Sequence, residues 1–189
     1  MMFEPKVIDN FLSKDECSYI LNFVKGIGKW ENGGTEFWEN RSLNAINIYN
    51  NIDKSMGIAL YGIREEIGSA IKGFYGIKED LYPDLMQIVR WFPGQEQHPH
   101  WDDMKSIDGT EWFHHREFGS VLYLNDEYSG GKTYYPDHDF EISPVAGSLA
   151  FHRGDKEHTH GVSKVEGGIR YTITTFWTRD KNYFDGWKI

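Results

Sequence analysis

Residues 170–177 read Arg170-Tyr171-Thr172-Ile173-Thr174-Thr175-Phe176-Trp177, a run of β-branched and aromatic residues with no turn former inside it. Such a run predicts a strand, with 170, 172, 174 and 176 on one face and 171, 173, 175 and 177 on the other. Upstream, short strand-like stretches recur over residues 86–91, 119–124, 132–135 and 147–151. Turn signals separate them: Phe92-Pro93-Gly94, Asn125-Asp126, Gly130-Gly131, Pro136-Asp137 and Gly167-Gly168. Before residue 84 the period is helical. Ser13-Lys14-Asp15-Glu16 has the capping-box form, with Leu12 before it, Cys17, Ile20, Leu21 and Val24 at helical spacing, and Gly26 and Gly28 to stop it. A second helix is expected over 54–75, where Met56, Leu60, Ile63, Ile67, Ile71 and Phe74 share a stripe. Residues 29–53 read as loop plus one or two edge strands, one of them at Ala45-Ile46-Asn47-Ile48-Tyr49.

Helices first and many short strands after them predict an α+β, mainly β fold: a β-sandwich or barrel with the N-terminal helices packed on one face. With no repeat or linker, a single domain over 1–189 is expected, its helical support at about 10–77 and its β core at about 84–180. The 189 residues carry 20 Lys and Arg against 29 Asp and Glu, a net charge of −9, so a nucleic-acid partner is not expected. Aromatic residues at 16% supply a packed core rather than a disordered chain. Cys17 is the single cysteine, which rules out an intrachain disulfide and suits a reducing compartment. The opening Met1-Met2-Phe3-Glu4-Pro5-Lys6 does not begin a signal peptide, and no apolar run reaches the roughly 18 residues of a membrane span. A cytoplasmic location and no membrane contact are the expectations.

All eight histidines lie from His98 to His160: the pairs His98/His100 and His158/His160, adjacent His114 and His115, and single His138 and His152. In an extended His100-Trp101-Asp102 the imidazole and the carboxylate project together. A histidine from another strand would complete two histidines and a carboxylate on one face of a metal, the arrangement of non-haem Fe(II) oxygenases. His160 fits, because Arg170 follows ten residues later and opens a strand. Arg170 shares its face with Thr172, and a guanidinium inside a sandwich needs an anion such as a dicarboxylate. Tyr123, on another inward-facing strand, adds a hydroxyl. His98 and His158 are rival ligands, though the intervals from Gly94 and to Arg170 favour His100 and His160.

Over most of its length the sequence resembles the prolyl-4-hydroxylase-like group of 2-oxoglutarate/Fe(II)-dependent dioxygenases. The matching stretches are Val7-Ile8-Asp9-Asn10-Phe11-Leu12-Ser13 before a helix, and Met86–Trp91 with Gly94 leading to His100 and Asp102. Tyr123-Leu124-Asn125-Asp126 with Gly130-Gly131-Lys132-Thr133 and Pro136 continues the likeness. Pro144–Phe151 and then His160-Gly161-Val162, Val165, Gly167 and Arg170 complete it. Trp91 stands where the family usually has Tyr. The resemblance implies a double-stranded β-helix (jelly roll), Fe(II) held by His100, Asp102 and His160, and 2-oxoglutarate anchored by Arg170, with Tyr123, Thr172 and Trp91 around it. It further implies O2 as second co-substrate, ascorbate as reductant, and hydroxylation of a peptidyl proline, another amino-acid residue or a small amino-acid-like substrate. Trp101, Asp103, Trp112, Arg116 and the 29–41 loop are candidates to line the entrance. A cupin-like metalloenzyme and a non-catalytic jelly-roll binding module are the alternatives.

Overall fold

The structure is a computed structural model and describes residues 3, 5–32, 36–104 and 113–189. In chain order the first half contains β1 (Lys6–Ile8), α1 (Lys14–Lys25), β2 (Glu31–Asn32), β3 (Glu39–Asn44), α2 (Ala45–Asn47), α3 (Lys54–Tyr75), β4 (Tyr82–Trp91) and β5 (Gln97–His100). The second half is β6 (Phe118–Tyr123), β7 (Ser129–Gly130), β8 (Thr133–Tyr135), β9 (Phe140–Ile142), β10 (Leu149–Arg153), β11 (His160–Val162), β12 (Val165–Gly167) and β13 (Arg170–Thr178). A seven-stranded antiparallel sheet runs β1-β10-β6-β13-β4-β3-β2; a four-stranded one runs β5-β11-β8-β9; β12 and β7 make a small third pair. This antiparallel architecture fits the β-sandwich or barrel expected from the strand pattern and the jelly roll that the family resemblance implies.

The helices form where the sequence signals them. In α1, Ser13 accepts from the Glu16 backbone N–H while the Glu16 carboxylate accepts from the Ser13 N–H, so both halves of the capping box are made. α3 is capped by Asp53, which accepts from the Met56 N–H, and ends at Gly76 in the left-handed conformation at φ 65°. Cys17, Ile20 and Val24 of α1 and Met56, Leu60, Ile67 and Ile71 of α3 merge with Met86, Ile88, Leu122, Leu149, Phe151, Ile173 and Trp177 of the large sheet into one core. Both helices therefore cover a single face of that sheet. Among the described residues, no helix is long and apolar enough to cross a membrane.

The structure departs from the sequence expectations at three places. Residues 45–49 are not an edge strand but α2 followed by a π-helical turn, Ile48–Ile52. The cause is Asn44, whose side-chain oxygen accepts from the N–H groups of Ile46 and Asn47 and so starts a helix. Secondly, β1 at Lys6–Ile8 is a strand the sequence did not signal and joins the edge of the large sheet beside β10, while β2 and β3 are the strands expected within 29–53. Thirdly, the buried stripe of α3 includes Arg64, while Ile63 is only partly covered. Arg64 is held by the Asp185 carboxylate at 3.1 and 3.2 Å and by the Trp187 carbonyl at 2.7 Å, so its charge is matched inside the core.

Candidate metal centre and anion pocket

The face of the large sheet turned away from the helices meets the four-stranded sheet, and the polar residues collect between them. Strands β5 and β11 pair with His160 directly opposite His100, which sets the two imidazoles 4.5 Å apart, centroid to centroid. Asp102 follows β5 but does not continue it. The strand ends at His100 and residues 102 and 103 form a turn, a correction to the extended His100-Trp101-Asp102 expected from the sequence. The turn is fixed by the Asp103 N–H donating to the Gly154 carbonyl at 3.0 Å, while the Gly154 N–H donates to the Glu117 carbonyl at 2.8 Å. Glycine is needed beside it: a Cβ on Gly119 would lie 2.1 Å from Asp102 Oδ2, and one on Gly154 would lie 2.0 Å from the Arg116 carbonyl oxygen.

Through that turn the buried carboxylate comes back to the histidines. Asp102 Oδ1 lies 3.9 Å from His160 Nε2 and 4.0 Å from His100 Nε2, and one ligand atom from each of the three residues falls within 4.8 Å of the others. The Nδ1 of His100 faces the His98 carbonyl at 3.1 Å, and that of His160 faces the His158 carbonyl at 3.0 Å. A carbonyl only accepts, so the proton sits on Nδ1 and the lone pair on Nε2 is left for a metal. Asp102 Oδ2 is buried without a hydrogen-bond donor among the described residues. Two neutral imidazole donors and a carboxylate with an orphaned oxygen fit a divalent first-row metal such as Fe(II).

The electrostatics agree. Burial, followed by the neighbouring His152 ring, depresses His160 to about 4, and burial likewise lowers His100 and His152, so all three rings are neutral near pH 7. Burial works to raise the Asp102 carboxyl, but the facing rings of His160, His152 and His100 outweigh it and hold the group below its ordinary value.

His152 was not singled out by its sequence neighbours. Its Nε2 stands 4.0 Å from Asp102 Oδ2, its ring 4.3 Å from that of His160, and its Nδ1 meets the Arg153 carbonyl at 2.9 Å. It supports the triad from behind. The signal that finds it is the alternation of β10, where Ala150 and His152 share the inter-sheet face and Leu149 and Phe151 the helix face. The two rival histidines lie elsewhere: His98 is exposed, and His158 is buried with its Nδ1 2.6 Å from Asp155 Oδ1.

Arg170 opens β13 opposite Trp91 of β4 and is 2% exposed, yet no carboxylate among the described residues pairs with it. Its two terminal nitrogens lie 3.5 Å from the Thr172 and Thr133 hydroxyls, the Tyr128 hydroxyl faces the same guanidinium, and its Nε has no partner among the described residues. Tyr123 donates to or accepts from Thr133 at 2.7 Å, and its ring lies 5.3 Å from the guanidinium carbon. Trp91 is buried with Val89, Val162 and Val165, walling this end off from water. An unpaired buried cation amid hydroxyls is a receptor for an anion. Thr133 belongs to it as much as Thr172 does, although only its place in the Gly-Gly-Lys-Thr stretch marks it in the sequence.

Among the entrance candidates, Arg116 is not free: it is buried, its Nε donates to Asp84 at 2.7 Å, and its guanidinium is sandwiched between Phe113 and Phe176 at 3.9 and 3.8 Å. Trp101 and Asp103 are half-buried, with Lys156 Nζ 5.8 Å from the Trp101 ring. In the 29–41 segment, Trp38 and Phe37 lie edge-on to Trp91 at 6.0 and 5.8 Å, and Arg41 sits over Phe37 at 4.4 Å. Trp112 and residues 33–35 lie outside the described residues.

The fold and this site define a jelly-roll protein with a two-histidine, one-carboxylate metal centre and an anion pocket beside it. The model of the 2OG-Fe(II) oxygenase superfamily matches residues 86–179, about half the chain and every residue of the triad and pocket. The chain belongs to that superfamily. It is 23% identical over 210 aligned residues to prolyl 3-hydroxylase 2 of Rattus norvegicus, covering 94% of this chain but only 30% of that protein. In structure it is similar to the viral collagen prolyl hydroxylase of Paramecium Bursaria Chlorella virus-1 in its 2-oxoglutarate complex: TM-score 0.64, 20% identity, 94% of this chain and 96% of that one. A Trichoplax adhaerens prolyl hydroxylase in complex with a hypoxia inducible factor peptide fragment gives a TM-score of 0.64 at 18% identity, over 95% and 85% of the two chains.

Proposed function

We propose that the protein is a 2-oxoglutarate-dependent Fe(II) dioxygenase that hydroxylates a prolyl residue of a peptide or protein. The observation that carries this reading is that His100, Asp102 and His160 gather between the two sheets while Arg170, buried beside Thr133 and Thr172, has no carboxylate partner among the described residues. The relatives named above, all prolyl hydroxylases, support the choice of substrate.

His100 and His160 would bind Fe(II) through Nε2 and Asp102 through a carboxylate oxygen; Arg170 would neutralise the far carboxylate of 2-oxoglutarate. Fe(II) bound there supplies the oxidative decarboxylation of 2-oxoglutarate by O2 to succinate and CO2, and the insertion of the second oxygen atom into a substrate C–H bond. The chain does the positioning. The Nδ1 contacts of both histidines fix ring orientation, and the turn locked by Gly154 holds the carboxylate in reach. Thr133, Thr172 and Tyr123 offer hydroxyls beside Arg170, and Trp91 with Val162 and Val165 keeps water out. The imidazoles of His100 and His160 stay neutral through burial and so keep their Nε2 lone pairs for the metal.

The test is to incubate the protein with Fe(II), 2-oxoglutarate, O2 and a panel of proline-containing peptides. The expected result is succinate in step with a gain of one oxygen atom on a peptide, lost in His100→Ala. No succinate with any peptide, together with no 2-oxoglutarate binding to the Mn(II)-loaded protein, overturns the reading.

A further inference from the structure

Tyr135 is 1% exposed, and its hydroxyl has no hydrogen-bond partner among the described residues. Buried hydroxyls are nearly always paired, so an orphan in a polar cavity marks a place where something else binds. Side chains alternate along β8, which puts Thr133 and Tyr135 on one face. Thr133 contacts Tyr123 and Arg170, so that face is the one lining the space between the sheets. The Tyr135 ring stands 5.7 Å from His152, edge-on at 84°, and 5.9 Å from His160. Phe3 at 5.2 Å and Phe140 at 5.7 Å pack against it as well. A ring wedged in this way is fixed in direction, and its oxygen is held rather than free to find water.

Several other polar atoms of the space are already engaged. The Tyr123 hydroxyl is bonded to Thr133, and the Nδ1 atoms of His152 and His160 face backbone carbonyls. Two residues along a strand span about 6.6 Å, comparable to the length of a five-carbon dicarboxylate. Thr133 stands at the guanidinium end of that span and Tyr135 beside the triad.

We propose that Tyr135 is a co-substrate-binding residue whose O–H donates a hydrogen bond to the 2-oxo-acid end of 2-oxoglutarate, while Arg170 holds the far carboxylate. The proposal rests on the reading of this space as a 2-oxoglutarate pocket. Tyr135→Phe removes one oxygen and keeps the ring that packs against Phe3, Phe140 and His152.

The experiment is calorimetric titration of 2-oxoglutarate into O2-free, Mn(II)-loaded protein. Tyr135→Phe should weaken 2-oxoglutarate binding about tenfold or more, as expected for a lost hydrogen bond to a charged group, and leave Mn(II) affinity within twofold. Combined with Arg170→Ala, the two losses should multiply, because they act on opposite ends of the ligand. A 2-oxoglutarate affinity within twofold of wild type overturns the proposal, and so does a double variant no weaker than Arg170→Ala alone. Should Tyr135→Phe fail to fold, protein carrying 3-fluorotyrosine at position 135 decides the matter. Its 19F resonance should shift when 2-oxoglutarate is added, and an unmoved resonance overturns the assignment. Wild-type protein that binds Mn(II) but no 2-oxoglutarate sinks the underlying reading instead.

Discussion

The two faces of β13 divide stability from chemistry within one strand. On the helix side, Tyr171, Ile173 and Trp177 join the apolar core beneath α1 and α3. On the other, Arg170 and Thr172 are just as buried but are polar, and the guanidinium has no carboxylate partner among the described residues. Burial alone thus does not separate the faces; charge does. On the helix face of β13 the orphaned polar atom among the described residues is the neutral Thr175 hydroxyl. The site face keeps groups without partners among the described residues — Arg170 Nε, Asp102 Oδ2 and the Tyr135 hydroxyl — that fit a metal and an anionic ligand.

The largest effect should come from breaking the site face. Asp102→Ala should lower turnover by about a thousandfold or more and abolish tight Fe(II) binding, since two histidines alone hold the metal weakly. The metal-free variant should still fold and melt within a few degrees of wild type, because the lost pull of the facing rings is offset by removal of a carboxylate oxygen that lacks a donor among the described residues. Succinate release and metal-free thermal melts check the two halves; turnover within tenfold of wild type would contradict the ligand role.

The helix face should answer in the opposite way. Ile173 is fully buried between Ile88 and Leu122, so Ile173→Ala should cost about 4 kcal/mol of unfolding free energy in urea. Its 2-oxoglutarate affinity should remain within a few-fold of wild type below the melting transition. A variant of normal stability with lost co-substrate binding would erase the division between the faces.

How far this division was legible in the sequence depends on distance along the chain. The alternation in residues 170–177 is local, and so are the His100/Asp102 spacing and the capping box, which is why that strand, the first helix and two of the triad residues could be read directly. His160 came instead from its interval to Arg170 and the family resemblance. Asp102 reaching the histidines from a turn could not, because Gly154 and Gly119, distant in sequence, make the room. His152 escaped because the strand expected over 147–151 stops one residue short of it. Arg64 looks like a break in the α3 stripe until Asp185, 121 residues away, supplies its counter-charge. The apolar 45–49 stretch is ambiguous by periodicity, and the Asn44 cap decides it for helix.

Acid sharpens the comparison further, because the imidazoles of His100, His152 and His160 that burial depresses lie on the site face. His160 is depressed from 6.5 to about 4 chiefly by burial, so between these values the unfolded chain takes up a proton that the folded chain refuses. Stability from this group is therefore fully present above pH 6.5, falls as the pH drops, and levels off near pH 4. The fall amounts to about 3 kcal/mol for a shift of this size, with His100 and His152 acting in the same direction. Chelator-treated wild type should show this slope in urea titrations, and His160→Gln should show a shallower one. Equal slopes in the two proteins would mean that His160 is charged in the fold.

The smallest expected effect lies farthest from the site, in the helical layer. Ser13 and Glu16 exchange hydrogen bonds at 3.2 and 2.8 Å on an exposed surface, where water can replace much of what is lost. Ser13→Ala should therefore cost only about 1 kcal/mol, a melting shift of about 2–4 °C in a chain of this size. Because α1 touches the sheet only through Cys17, Ile20, Val24 and their apolar neighbours, that loss should not reach Arg170 or the triad. Fe(II) and 2-oxoglutarate affinities should be unchanged at 20 °C, measured by the same titrations on the same preparation. A drop in either would mean that the first helix sets the geometry of the opposite face through the sheet, and that the two faces of β13 are coupled.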